Sequence, residues 1–98
     1  MVSKVFPKNK RIVNEKLLEA IRQMPCCICG KKPSDPSHIK TVKTGGNDES
    51  WNIFPKCRSH HIEWHSVSHR EFCNRYPSFE ILLIKNGWEW IGNKLFHK

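Results

Sequence analysis

Cys26-x-x-Cys29 and Cys57-x-x-His60 are two pairs of metal-ligating side chains, each at the spacing with which a tight turn grips one ion. Three thiolates and one imidazole close a tetrahedron and leave no open position, so the set implies a structural zinc. In zinc-finger peptides such a site contributes about 10–16 kcal/mol near neutral pH, comparable with the whole stability of a small domain. Cys27 forms a tighter alternative pair with Cys29 and competes with Cys26 as a ligand. Cys73, beside Phe72 and Tyr76 in a helical stretch, reads as a packing residue.

A second set overlaps the first. His61 directly follows His60, and His65 comes four residues later. On a helix that spacing puts both imidazoles on one face, and two such ligands leave coordination positions open, as a catalytic ion requires. His60 and His61 point in different directions around the helix, so one segment can serve two sites. The plainer reading of His61 and His65 is a solvated helix face. His69 extends the spacing, but Ser66 and Ser68 break the helix before it.

The chain that must position these groups is short. Its 98 residues make one domain, 38% apolar, with a core that is marginal at this size. The longest aliphatic run, Ile81-Leu82-Leu83-Ile84, is too short to cross a bilayer, and no signal-like apolar region follows the basic N-terminus. Seventeen Lys and Arg against nine Asp and Glu give a formal charge of +8, which favours a polyanionic partner, nucleic acid above all. Five cysteines cannot all pair as disulfides, and their clustering with histidine suits a metal in a reducing compartment.

Residues 1–13 read as a basic, extended arm carrying Lys4, Lys8, Lys10 and Arg11. Asn14 is placed to cap a helix whose Leu17, Leu18 and Ile21 recur at helical spacing until Pro25. Short strands are expected at 37–39 and 51–54, joined by a polar connection containing Gly45-Gly46-Asn47-Asp48. A helix follows from Arg58 to about His65. Ser68 and Glu71 form a capping-box pattern for another reaching about Tyr76, and Ser78 is expected to cap a third, ended by Asn86-Gly87. Trp88 to Ile91 and Lys94 to His97, around Gly92-Asn93, read as a terminal hairpin whose Trp88 and Trp90 pack against Leu82 and Leu83.

Three of these segments come in a telling order: Asp35-Pro36-Ser37-His38-Ile39, then Asn52 before Ile53-Phe54-Pro55, then Cys57-Arg58-Ser59-His60-His61. Together with Cys26-x-x-Cys29, Gly45-Gly46-Asn47-Asp48 and His65, they make residues 25–76 resemble the HNH, or His-Me finger, endonuclease superfamily. The chain is most similar to its small zinc-containing phage and prophage branch. No one motif is specific; their combination is. The resemblance implies an α+β fold: a zinc-stapled ββα-metal domain with an N-terminal helix, one or two further short helices and a C-terminal β-hairpin spanning, with the last helix, residues 77–98.

It also implies roles. His38 matches the general base that deprotonates the attacking water. Asn52 matches the central Asn, which orients the base or pins the hairpin loop. His61 and His65 match ligands of a catalytic divalent ion (Mg, Mn, Ni or Zn), and cleavage would leave 5′-phosphate and 3′-hydroxyl ends. Many members place His or Asp where this chain has Ser37, so the third ligand is either Asp35, on the same strand face, or water. Arg58, Lys40 and Lys43 flank the site and could hold phosphates. The expected function is therefore metal-dependent DNA cleavage in the cytoplasm (that of a bacterial host, if the chain is phage or prophage encoded), with no membrane partner. A non-catalytic zinc-stapled nucleic-acid-binding module is the alternative, and a zinc-stapled protein-interaction domain would make the charge incidental.

Overall fold

Asn14 opens the first element as its side-chain oxygen accepts the Leu17 N–H at 3.0 Å. The computed structural model describes residues 13–41 and 44–98, so the basic arm (1–13), apart from Val13, lies outside the described residues, as does Lys43. Helix α1 (Glu15–Arg22) has an acid in its first turn and a base in its last, complementing the helix dipole. Its buried stripe, Leu18 and Ile21, packs on Ile53 and forms a small core of its own.

Strands β1 (Asp35–His38) and β2 (Ile53–Lys56) pair antiparallel, with Pro36 opposite Pro55 and His38 opposite Ile53. Both strands are displaced from their expected spans at 37–39 and 51–54, and each carries a proline inside it. Ile39 N–H donates to the Asn52 carbonyl at 2.8 Å, so the alternating ladder puts the two prolines at a pair where no N–H is required. The connection between the strands folds back tightly at Gly46, where a Cβ would lie 1.8 Å from the Lys40 carbonyl oxygen.

Helix α2 (Arg58–Ser66) follows directly, giving a hairpin-and-helix unit. Helix α3 (His69–Arg75) begins at Ser68, whose hydroxyl accepts the Glu71 N–H at 3.0 Å as the capping pattern implied. Helix α4 (Pro77–Lys85) departs from expectation: Ser78 lies inside it, Tyr76 is the cap residue, and Pro77 starts it at the position that suits a fixed φ and a missing N–H. Gly87, with φ of +93°, turns the chain out of α4 into the hairpin β3 (Trp88–Ile91) and β4 (Lys94–His97).

The described residues thus form a mixed α+β domain of four helices and two small hairpins. Its main core gathers Phe54 from β2, Trp64 from α2, Phe72 from α3, Phe79 and Leu83 from α4 and Trp88 from β3. Trp88 and Trp90 pack as expected, and Trp90 donates its indole N–H to Glu80 at 2.7 Å. Among the described residues no helix is long and apolar enough to cross a membrane. Phe72 is completely buried against the rings of Trp64, Tyr76 and Phe79, whereas Ile81 on α4 is 56% exposed. Phe72→Ala should therefore cost about 3–5 kcal/mol in denaturant unfolding, and Ile81→Ala no more than about 0.5 kcal/mol.

Candidate functional site

The turn after α1 brings the first two thiols together. Cys26 N–H donates to the Lys31 carbonyl and Gly30 N–H to the Cys26 carbonyl, each at 2.9 Å, with Gly30 in the left-handed region. Cys57 is the N-cap of α2 and His60 stands in its first turn, so the helix start presents the other pair. The four ligand atoms lie within 4.8 Å of one another. Cys29 Sγ is 3.7 Å from Cys57 Sγ, Cys26 Sγ is 3.7 Å from His60 Nδ1, and Cys57 Sγ is 3.2 Å from the same nitrogen. A tetrahedral zinc bound at about 2.0–2.3 Å has ligand–ligand edges of roughly 3.5–3.8 Å, so donor set and spacing are compatible with a structural zinc. The Cys26 thiol, although burial opposes its ionisation, is brought down to about 6 by the N–H groups of Cys57, Cys29 and Ile28 and by His60.

The competition between Cys26 and Cys27 is resolved by direction. Cys27 hydrogen-bonds through its N–H to the Pro55 carbonyl, packs against the aromatic core, and has its thiol pushed up to about 11 by burial. Cys73 is likewise buried in the core, its thiol pushed up to about 11, which is the packing role expected of it.

Between β1 and α2 lies a second arrangement. A cleft of about 590 Å³ is lined in part by Asp35, Arg58, His61 and His65. A smaller cavity of about 210 Å³ joins Pro36, His38 and Thr41 to the same His61 and His65. The three histidines expected to act together are therefore neighbours in space. His61 Nε2 and His65 Nε2 face each other at 3.3 Å, the distance of one N–H···N hydrogen bond. Burial, then the neighbouring His61 and Lys56, hold the His65 pKa below its ordinary value.

Asp35 reaches the other side of the His61 ring. Its Oδ2 accepts from His61 Nδ1 at 3.1 Å and from Arg58 Nε at 2.8 Å. The Arg58 guanidinium is the main reason its carboxyl lies below the usual range. Asp35, expected as a possible third metal ligand, lines the larger cleft with His61 and His65, and its carboxylate sits against His61 Nδ1, where it accepts an N–H. Arg58 is exposed and holds Asp35; Lys40 is exposed on the connection; Lys43 lies outside the described residues. His69 stacks on Trp64 at 4.0 Å and is no ligand, as its place at a helix start implied.

Asn52 is completely buried, and its amide serves the backbone. Its Oδ1 accepts the Lys40 N–H at 2.8 Å, while Nδ2 donates to the carbonyls of Lys40 at 3.1 Å and Asn47 at 3.0 Å. It thus pins both limbs of the connection between the strands, one of the two roles that the resemblance implied for it.

Two residues escaped the sequence reading. Buried Asp48 places Oδ1 2.8 Å from His38 Nε2 and accepts the Asn14 N–H on Oδ2 at 2.9 Å. A carboxylate only accepts, so the His38 ring turns an Nε2–H toward Asp48. Asp48 stood inside a noted motif, but nothing local ties it to a histidine ten positions away. The other is Lys56, fully buried with Nζ 2.9 Å from Ser37 Oγ and 4.4–4.5 Å from the ring centroids of Phe79 and Trp64. Burial lowers its amine to about 7, and the aromatic faces replace part of its hydration. The period-two strand pattern was the available signal, since it puts Lys56 on the face of Phe54.

The class that fold and site define is a small α+β domain with a Cys₃His cluster compatible with zinc and a histidine-lined cleft beside it. Residues 4–86 match the family described as "Protein of unknown function (DUF968)", and the chain belongs to that family. The "Uncharacterized protein YdfU" of Escherichia coli (strain K12) is 36% identical over 64 residues, which are 62% of this chain and 18% of the relative. The chain thus spans less than a fifth of that relative's length. No solved structure matches it.

Exchange of the cluster residues separates ligands from bystanders. Cys57→Ser should lose one bound metal ion per chain and most of the roughly 5–15 kcal/mol stability of such a domain, whereas Cys27→Ser should keep the ion. Elemental analysis of the purified variants, paired with thermal melts, checks both outcomes.

Proposed function

We propose that the chain is a metal-dependent endonuclease of the HNH, ββα-metal type that hydrolyses DNA phosphodiester bonds in the cleft between β1 and α2. The observation that carries this reading is the meeting of His38, backed by Asp48, with His61 and His65 around one cavity. His38 takes the proton of the attacking water, and Asp48 steadies the imidazolium that results. Asn52 holds the connection that carries Asp48 in register with β1. Arg58 and Lys40, with the overall charge of +8, attract and align the phosphodiester backbone. His61 and His65, set in orientation by Asp35, are the side chains that would hold a divalent ion such as Mg, Mn, Ni or Zn. When bound, that ion supplies charge stabilisation at the phosphate and at the leaving 3′-oxygen. A structural zinc on Cys26, Cys29, Cys57 and His60 ties the foot of α1 to the start of α2 and so fixes the helix under the strand.

One observation favours a second reading. Ser37 faces the core and bonds Lys56, and the Asp35 carboxylate sits against His61 Nδ1, which leaves the cleft two imidazoles where many HNH proteins have three protein ligands. A non-catalytic zinc-stapled nucleic-acid-binding module would have this poverty of ligands. It predicts salt-sensitive DNA binding without cleavage under any divalent ion.

Incubation with supercoiled plasmid, whose negative superhelicity opens short unpaired stretches, should give nicked DNA with Mg, Mn or Ni. His38→Ala should slow this by about 10²–10⁴-fold with the metal cluster and melting temperature retained. Undiminished cleavage in that variant would remove His38 from the chemistry. Asp48→Asn keeps the shape but weakens the hold on the Nε2 proton, and it should lower the rate by up to about 10⁴-fold.

A further inference from the structure

A second groove, of about 520 Å³, opens on the far side of the strand connection, between Lys40 and Thr44 on one wall and the terminal hairpin on the other. That volume falls in the ordinary range for a small-molecule site, about 300–1,000 Å³. Its walls are planar rings: Trp51 stacks on His97 with centroids 3.7 Å apart and 21° between planes, and Trp88 leans on both. These rings are held from behind. Trp88 donates its indole N–H to the Trp51 carbonyl at 2.6 Å, and His97 Nε2 donates to the Asn86 carbonyl at 2.8 Å. Gly87 leaves room for the imidazole, since a Cβ there would lie 2.7 Å from Nε2. The rim carries the exposed cations Lys40 and Lys94, and none of the described residues lining the groove is acidic.

We infer that this groove, walled by Trp51, His97 and the exposed Phe96 and rimmed by Lys40 and Lys94, binds an unpaired nucleobase of single-stranded DNA. Planar aromatic walls with flanking cations are the chemistry that takes a base by its π-face and the adjoining phosphates by charge. A base inside a duplex has both faces covered by its neighbours and cannot enter; an unstacked one can. The site lies where a strand crossing the His38 cavity would continue. Thr41 lines that cavity, Thr44 lines the groove, and their hydroxyls are 3.1 Å apart. The substrate class that follows is DNA with at least one unpaired base next to the cleaved bond. This placement rests on the nuclease reading, whereas base binding itself needs no hydrolysis.

The test uses the full metal-loaded chain at low salt without added divalent ions. The probe is an oligodeoxynucleotide of about 12 nucleotides with one 2-aminopurine, presented single-stranded or annealed to its complement. Saturating protein should quench the single-strand emission by ring stacking, and the single strand should bind at least about tenfold tighter than the duplex. Trp51→Leu should weaken single-strand binding by about tenfold and abolish the quench. Should that variant fail to fold, Lys94→Glu at the exposed rim should weaken single-strand binding by at least about threefold. Equal affinity for both forms, binding without quenching, or undiminished single-strand binding in whichever variant folds would overturn the groove assignment. Plasmid cleavage alongside any of those results would leave the nuclease reading standing, and base binding without cleavage would do the reverse.

Discussion

Two strands of four residues each cannot hold a ladder together in water, because a lone hairpin buries too little to offset the entropy of ordering it. Here the hairpin carries His38 at the end of β1, so its position decides whether there is a site at all. It is pinned at three places. The Cys26, Cys29, Cys57 and His60 side chains meet where the chain approaches β1 and leaves β2, so a zinc held there would close the hairpin at its open end. Asn52 clamps the opposite end through three backbone bonds. The aromatic core takes the inner face through Phe54 and Lys56. Of the three, the four-ligand cluster is the one that includes the start of α2, so a bound zinc would also set the spacing between strand and helix.

Lys56 shows how the inner face is reconciled with a charge. An ammonium deprived of water is costly unless other dipoles face it, and the side chain meets two ring faces and one hydroxyl. Lowering of its amine to about 7 measures how incompletely these replace water. The hydroxyl belongs to Ser37, next to His38, so the same contact turns Ser37 inward and leaves its neighbours in the strand facing the cleft.

What was legible in the sequence was local. Asn14 and Ser68 cap helices because the bonds concerned span three residues, and Gly92-Asn93 turns a hairpin between strands adjacent in the chain. The paired ligands were legible for the same reason, each pair sitting in one turn. The strand spans were displaced because facing prolines are acceptable only in a particular register, and register is a property of two segments together. Ser78 lost the cap position to Tyr76 because Pro77 suits the first helical residue better than the second. Asp48 and Lys56 were hidden for a further reason. Acid in a polar loop and lysine in a basic chain are ordinary by composition, and only burial against a distant imidazole or ring distinguishes them.

The connection between β1 and β2 then carries more than its length. It supplies Asp48 to the His38 ring, Thr41 to the histidine-lined cavity, and Lys40, Thr44 and Trp51 to the aromatic groove. A segment of this kind is ordinarily the most variable part of a hairpin, free to move because its backbone faces water. Here the buried Asn52 amide and the close approach at Gly46 remove that freedom at both ends. Holding the connection still matters most if both clefts must engage one strand at once, since displacement of either limb would misalign the base relative to the bond. A buried amide and a glycine contact, tying the two ends of the connection without regular secondary structure, are what two clefts sharing one strand would require.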